Sequence, residues 1–475
     1  MPGILALDSG IFFSGVILGW KQPVSNFLSA IGVKALTTNL EIMKFISRIP
    51  LTSLLFLTFL ALFSTCSDKC KVTNSYVYYE PVYTTAAELK AKIKFNGPQP
   101  LNTPGRIYLK EQFLLINEAG KGIHFFDNKN PGQPIALGFL TIPGNFDLAI
   151  IGNTLYADSY SDLVAFDISI IQSIREVNRI SNLFDHSTSM GFLGNSERGI
   201  LTDWKMVETV SIEENDCKRR VEQWGGIMME DGIALTSSAS ATFNAKASIA
   251  PPSATGIGGS MARFTIVNNH LYALDNFFMD VVDVGVQFQP QSKTEIQVSW
   301  LAETLFPKNE ALFVGTRSGM YIFDLANPAQ PNLVSQYEHV NSCDPVIVEG
   351  DYAYVTLRGG TVCNSFTNQL EVINIKDVKS PVVEKIYPMT NPHGLGIDNG
   401  ILFVCDGAAG LKIFDAKDIR NITDHLIIQY DKINALDIIP FNDNAMVIGQ
   451  DGLYQYDYSD LKNIRLLSKI EVLKP

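Results

Sequence analysis

Apolar and polar positions alternate along this chain in short runs, and the runs recur at a regular distance. The clearest is Gly122-Ile-His-Phe-Phe-Asp127, followed by Asn128-Lys-Asn-Pro131. Its counterparts are Leu163–Asp167, Met279–Asp283, Gly319–Asp324, Leu370–Asn374, Gly410–Asp415 and Gly452–Asp457. β-Branched and aromatic residues fill the apolar positions, so each run predicts a strand. Several runs begin at a glycine suited to a hairpin, and all but Leu370–Asn374 end on an aspartate suited to cap the next turn. Their last residues lie 40, 116, 41, 50, 41 and 42 positions apart, so two gaps hold one repeat plus an insertion. A period near 40 in a β-rich chain predicts a propeller or a solenoid.

Each repeat reads as four strands. In the second they are Phe146–Ile151, Thr154–Asp158, Leu163–Asp167 and Ile174–Ile180, with Gly152-Asn153 turning the first pair. Asn399-Gly400 plays that part in the sixth. The units fall at 104–144, 145–184, 261–300, 301–344, 345–394, 395–434 and 435–475. A solenoid needs capping ends, and no unit has the character of one. The fold predicted is therefore all-β, a seven-bladed β-propeller of four-stranded blades spanning 89–475, with an insertion, 185–260, between blades two and three. Leu89–Phe95 alternates like a strand that pairs with the last blade to close the ring; alternatively Leu466–Leu473 completes that blade alone.

Upstream, Met43-Lys-Phe-Ile-Ser-Arg48 is a short basic region, Leu51–Phe63 is apolar, and Ser64-Thr65 precede Cys66. That order predicts a secretory signal over 43–65, and it resembles a bacterial lipoprotein signal, which implies acylation of Cys66. An uncleaved anchor is the other reading of the apolar run. Residues 1–42 precede the basic region and are read as a mis-called extension upstream of a start at Met43, and 66–88 as a tether. The repeats themselves resemble the LVIVD-repeat propellers, often carried by bacterial lipoproteins. The matching stretches are Gly410–Asp415, the turns Asp127–Pro131 and Asp324–Pro328, and Tyr352-Ala-Tyr-Val355. The resemblance covers about residues 100–475 and implies architecture without a general activity. Units three and five depart most from it, at Met279 and Asn374.

Bulk chemistry narrows the function. A net charge of −12 without a basic run argues against nucleic acid. Of six cysteines, Cys343 and Cys363 are expected on one face of blade five and are the candidate disulfide. Cys405 lies in a buried-strand pattern, while Cys217 either pairs with Cys70 or stays free. No linear motif for a nucleophile elbow, a phosphate loop or a zinc site occurs.

Propeller topology then selects a face. With strands lettered a to d from the channel outwards, the b–c turns and d–a crossovers share one end of the ring. The insertions 185–260 and Gly359–Asn368 are therefore both expected to project from that face, and function concentrates on loops held by a rigid frame. The candidate binding face comprises Asn145, Asp158, Arg263, Asp275, Arg317, Asp344, Arg358, His393, Asp406 and Asp451. Such a ring suits a polar ligand or a divalent cation such as calcium, although no cofactor is predicted outright. The insertion reads as an irregular charged part up to Val221 and a low-complexity part, Gly225–Gly259, together a lid, a contact arm or a disordered loop. The expectation is a monomeric, lipid-anchored binding or scaffolding module of the bacterial cell envelope, on the outer membrane facing the periplasm or the surface, for a protein or glycan partner. The alternatives are a hydrolase or lyase with a metal-assisted acidic site on the same face, and a purely structural spacer.

Overall fold

The computed structural model describes residues 69–184, 198–216, 228–229, 255–298, 301–339, 345–360 and 366–473. The signal region, Cys66, Cys217, Cys343, Asp344 and Cys363 lie outside them. The chain divides into two compact units. One, Thr73–Ser211 with Glu222–Pro475, holds all the blades. The other, Met1–Val72 with Ile212–Val221, enters the description only as the extended backbone of Lys69–Val72 and Ile212–Asp216.

Seven antiparallel meanders of four strands follow one another. Blade one is Pro104–Lys110, Phe113–Glu118, Gly122–Asp127 and Ile135–Thr141. Blade two is Leu148–Ile151, Thr154–Ser159, Asp162–Asp167 and Arg175–Ile180. The inner strands of the rest are Phe264–Val267, Ala302–Lys308, Val346–Glu349, Leu395–Asp398 and Ala435–Phe441. Units three and five form complete ladders like their neighbours. The molecule is a seven-bladed β-propeller. Its apolar cores lie between successive blades, as where Leu140 and Ile142 of blade one meet Leu148 and Leu155 of blade two. This packing explains why strands b and c are apolar on both faces, unlike a half-exposed sheet.

The residue ending each c strand does the same work in all seven blades. The side-chain oxygen of Asp127, Asp167, Asp283, Asp324, Asn374, Asp415 or Asp457 accepts the amide two residues on, at 2.8–3.1 Å. An amide oxygen serves this Asx turn as well as a carboxylate, so Asn374 is no departure in function. Replacing Asn374 with Asp should leave thermal stability unchanged, whereas Asn374→Ala should cost about 1 kcal/mol in chemical denaturation. Equal curves for the Ala variant and the wild type would remove the turn from the account.

Neighbouring blades are also joined by d-strand side chains that reach the next blade's c–d turn. Ser335 donates to Val378 O, Tyr387 to Ile419 O, Tyr430 to Ile464 O and, across the closure, Ser468 to Pro131 O.

The start of the chain differs from the alternating strand expected at Leu89–Phe95. Ala86–Lys92 is a helix, opened by a capping box in which Thr85 and Glu88 exchange bonds, and it buries Leu89. Good helix formers and a cap outweigh an alternation this short. Lys94–Asn96 then pairs outside blade one, against Thr141–Phe139, and not with blade seven. Arg465–Glu471 completes blade seven alone, and the ring closes with a parallel bridge between Leu101 and Val472.

The expected tether is a strand too. Lys69–Thr84 joins a sheet with Ile200–Asp216 and Met228–Met229 of the insertion. Thr84 meets Thr202 while Glu80 meets Lys205, so the first pair runs antiparallel. Within the first part of the insertion, Ile200–Asp216 is therefore a 17-residue strand where an irregular segment was expected, its alternation through charged residues finding a partner in the N-terminal segment.

Candidate functional site

The d–a crossovers and b–c turns do share one end of the ring, and they bind each other. Asp158 Oδ1 accepts the amides of Phe146 and Asp147 at 2.8 and 2.9 Å and Asn145 Nδ2 at 2.7 Å. Asp406, fully buried, accepts the amides of Asn391 and Thr390 at 2.7 and 3.1 Å and Lys412 Nζ at 2.6 Å. Asp451 accepts from Tyr454 and from Lys469, the latter at 2.9 Å. Burial lifts the Asp158 carboxyl to about 6, against the amide bonds that hold its charged form. These acids were expected to face a ligand or cation. Asp158 and Asp406 instead cap the backbone that enters their own blade, and Asp451 holds two side chains of blade seven.

A second set encircles the channel. Arg106, Asp147, Arg263 and Asp437 each precede the residue that pairs with the fourth position of strand b, namely Ile107, Leu148, Phe264 and Ile438. One register position thus carries two arginines and two aspartates around the inner strands. Arg106 donates to Met261 O and Phe146 O and stands 3.5 Å from Asp147. Asp147 accepts the amides of Leu148, Arg263 and Phe264, while burial raises its carboxyl. Burial lowers Arg263, with Arg106 next in effect, and Asp275 is a buried carboxylate beside it. Asp437 is pushed up to about 8, chiefly by burial, and its Oδ2 has no hydrogen-bond partner among the described residues.

Blades four to six complete the arrangement. Arg317 Nε donates to Glu303 at 2.9 Å, and burial still raises the Glu303 carboxyl despite Arg317, Arg358 and Arg263 nearby. Arg358 Nη1 lies 2.7 Å from His393 Nδ1. Burial first, then the Arg358 charge, holds His393 down at about 3, so its imidazole is neutral and accepts that bond. Asp344, expected on this face, lies outside the described residues. Cys405, free and fully buried, sits in strand Ile401–Cys405 as a core residue.

A short segment of the insertion lies in the channel. Ile257–Gly258 pairs antiparallel with Leu109 and Tyr108 of the innermost strand of blade one. The insertion leaves blade two at Phe184, whose amide bonds to Ser161 in that blade's b–c turn. It returns at Thr255, bridged to Ile151 beside the a–b turn, which is the opposite end of the ring. The insertion 185–260 was expected to project from the crossover face, whereas its described return begins at the opposite end and passes through the channel; the spacing of repeats does not report which way a connection travels.

Asn145, Asp158, Arg263, Asp275, Arg317, Arg358, His393, Asp406 and Asp451 lie at or beside the b–c turns and d–a crossovers, as read from the repeat, and Arg106, Asp147, Glu303, Ser260 and Asp437 beside them were not singled out. The signal for three of these was available, since Arg106, Asp147 and Asp437 occupy one repeat position where blades five and six carry Pro345 and Gly394. Among the described residues no three His, Cys, Asp or Glu side chains converge as metal ligands.

No family model matches this chain, and no curated protein does. Solved propellers are similar at low identity. A protein from Lactobacillus plantarum aligns at 12% identity with a TM-score of 0.49, over 78% of this chain and 97% of the other. BamB from Moraxella catarrhalis aligns at 8% with a TM-score of 0.41, over 81% and 97%. The N-terminal domain of Nup159 gives 10% and 0.41, over 82% and 96%. The propeller assignment rests on the strand ladders themselves.

Proposed function

We propose that this chain is a lipoprotein of the bacterial cell envelope, acylated at Cys66, and that its propeller is a scaffold presenting a contact surface to a protein partner. The observation that carries this reading is the sheet formed by Lys69–Thr84, just after Cys66, with Ile200–Asp216 of the insertion. It is the one large elaboration beyond the blades among the described residues, and it joins the insertion to the segment that follows the lipid-acceptor cysteine. Asp158, Asp406 and Glu303 of the crossover face are engaged in internal bonds, which supports contact through added elements over chemistry at the face.

The test is recovery of partners from detergent extracts with two variants. Deleting residues 200–229 removes the insertion's strands of that sheet, spares the channel segment and should lose the partners. Cys66→Ser should abolish labelling by a clickable fatty acid and release the protein from the membrane fraction. Unchanged partners with the deletion would remove the insertion as the contact arm, and unchanged labelling would remove the lipid anchor.

A further inference from the structure

Propellers of this size commonly lock their ring by sharing strands between the chain ends, and this one does not: each blade is made of four consecutive strands. Between blades seven and one the described contacts include the Leu101–Val472 bridge, the bond from Ser468 to Pro131 O, and the exchange between Asn128 and Gln455 at 2.7–2.9 Å. Side chains of the two blades, among them Ile107, Leu114, Ile439 and Met446, also pack against each other there, and further contacts come from within the channel.

The segment Thr255–Met261 crosses from one end of the channel to the other and touches four blades. Gly256 N donates to Ile150 O of blade two, and Ile257–Gly258 forms a short ladder on blade one. Gly259 N donates to Ile107 O, and Met261 O accepts from Arg106. Ser260 Oγ, fully buried, accepts the Leu395 amide of blade six at 2.8 Å and donates to Asp437 of blade seven at 3.3 Å. Leu305 N of blade four donates to Ala262 O just beyond. The side chain of Ile257 is buried in the apolar core shared by Ile107 and Leu114 of blade one with Ile439 and Met446 of blade seven.

The glycines of this stretch fit that position. A Cβ at Gly256 would lie 2.1 Å from the Tyr108 ring, and one at Gly259 would lie 2.1 Å from Asp437 Oδ2. Gly394 opposite is constrained in the same way, 2.3 Å from Asp437 Oδ1. What reads in one dimension as the end of a low-complexity run is the backbone of a strand threaded where walls leave no room for side chains.

We infer that the central channel is a strand-binding site whose resident ligand is the chain's own Thr255–Met261, and that this strand addition in cis clamps the seam between the first and last blades. Inner strands of a propeller present an unpaired edge to the channel, and an extended peptide satisfies such an edge by main-chain bonds. Here the peptide is tethered to blade three, so it binds without the entropy of association.

Hydrogen exchange read by mass spectrometry tests this on peptides covering Pro104–Lys110, Ala435–Phe441 and, as a reference the segment does not bond to, Val346–Glu349. The double variant Ile257→Ala with Ser260→Ala removes the seam contact and the Ser260 bonds while leaving the glycines in place. It should raise exchange on the order of tenfold or more in the first two peptides and leave the third unchanged. Gly259→Val should exceed that effect or prevent folding. The deletion of residues 200–229 should leave exchange at the seam as in the wild type, which separates this role from any partner contact. Unchanged exchange at the seam in the double variant, or an equal rise in all three peptides, would overturn the clamp.

Discussion

Gly410→Val destabilises the propeller by about 3 kcal/mol or more, or prevents its folding, although the side chain it adds is apolar and the neighbourhood is a core. The backbone there has φ +94, and a Cβ would lie 2.0 Å from Tyr430 O on the outer strand. The same geometry recurs at Gly122 and Gly452, whose Cβ would meet Leu140 O at 2.0 Å and Ile470 O at 2.2 Å. The glycine that opens the repeat is thus required less by the preceding turn than by the carbonyl of strand d, which crosses directly over it. Chemical denaturation of Gly410→Ala and Gly410→Val checks this, and the alanine variant should already show most of the loss. A loss confined to valine would point to side-chain bulk and away from the backbone clash.

The second large effect is in pH dependence. Asp437 is 3% exposed and titrates near 8 in the folded protein against 3.8 as its ordinary value. The folded state therefore holds a proton that the unfolded state has released across that interval. Stability is highest below the ordinary value and falls as pH rises toward 8, by as much as about 1.4 kcal/mol per pH unit. Asp158, raised to about 6, adds to the fall over the lower part of the same window. The charged groups facing Asp437 are Arg106, which opposes the rise, and Asp147, which reinforces it; the Cys405 thiol is beside it and is itself pushed up. Asp437→Asn keeps the shape and removes the titration. Melting curves should show the wild type losing stability between pH 5 and pH 8 on the order of several degrees more than the variant. Parallel pH profiles would mean that the carboxyl stays ionised through folding.

At the acid end the sign reverses. Glu118 lies near 2, because bonds from His124 and Lys121 outweigh the burial that would raise it. Its contribution is present above its ordinary value and is lost as pH falls toward 2. The two trends together place greatest stability on the acid side of neutrality.

The blades were legible in the sequence because a c strand buried between two neighbours must be apolar on both faces and must turn at a fixed place. Gly410–Asp415 states both requirements in six residues, and the Asx turn after Asp415 depends on nothing beyond Lys417. Local rules of this kind repeat with the blade and show as a period. The crossover face was legible for the same reason, since alternating strand direction assigns every turn to an end of the ring.

The chemistry of that face was not. Whether Asp158 and Asp406 meet a ligand or a backbone amide depends on where a crossover some 15 residues away comes to lie. The helix at Ala86–Lys92, the strand pairing of Lys69–Thr84 and the channel position of Ile257 depend on partners still more remote. By itself the sequence determined the repeat, the number of blades and the turns, because each is settled within a few residues by sterics and capping. Only the tertiary structure decided that a strand of the insertion lies in the channel and that Asp158 and Asp406 bind backbone, because an unpaired strand edge and a buried carboxylate take whatever partner the closed ring brings to them.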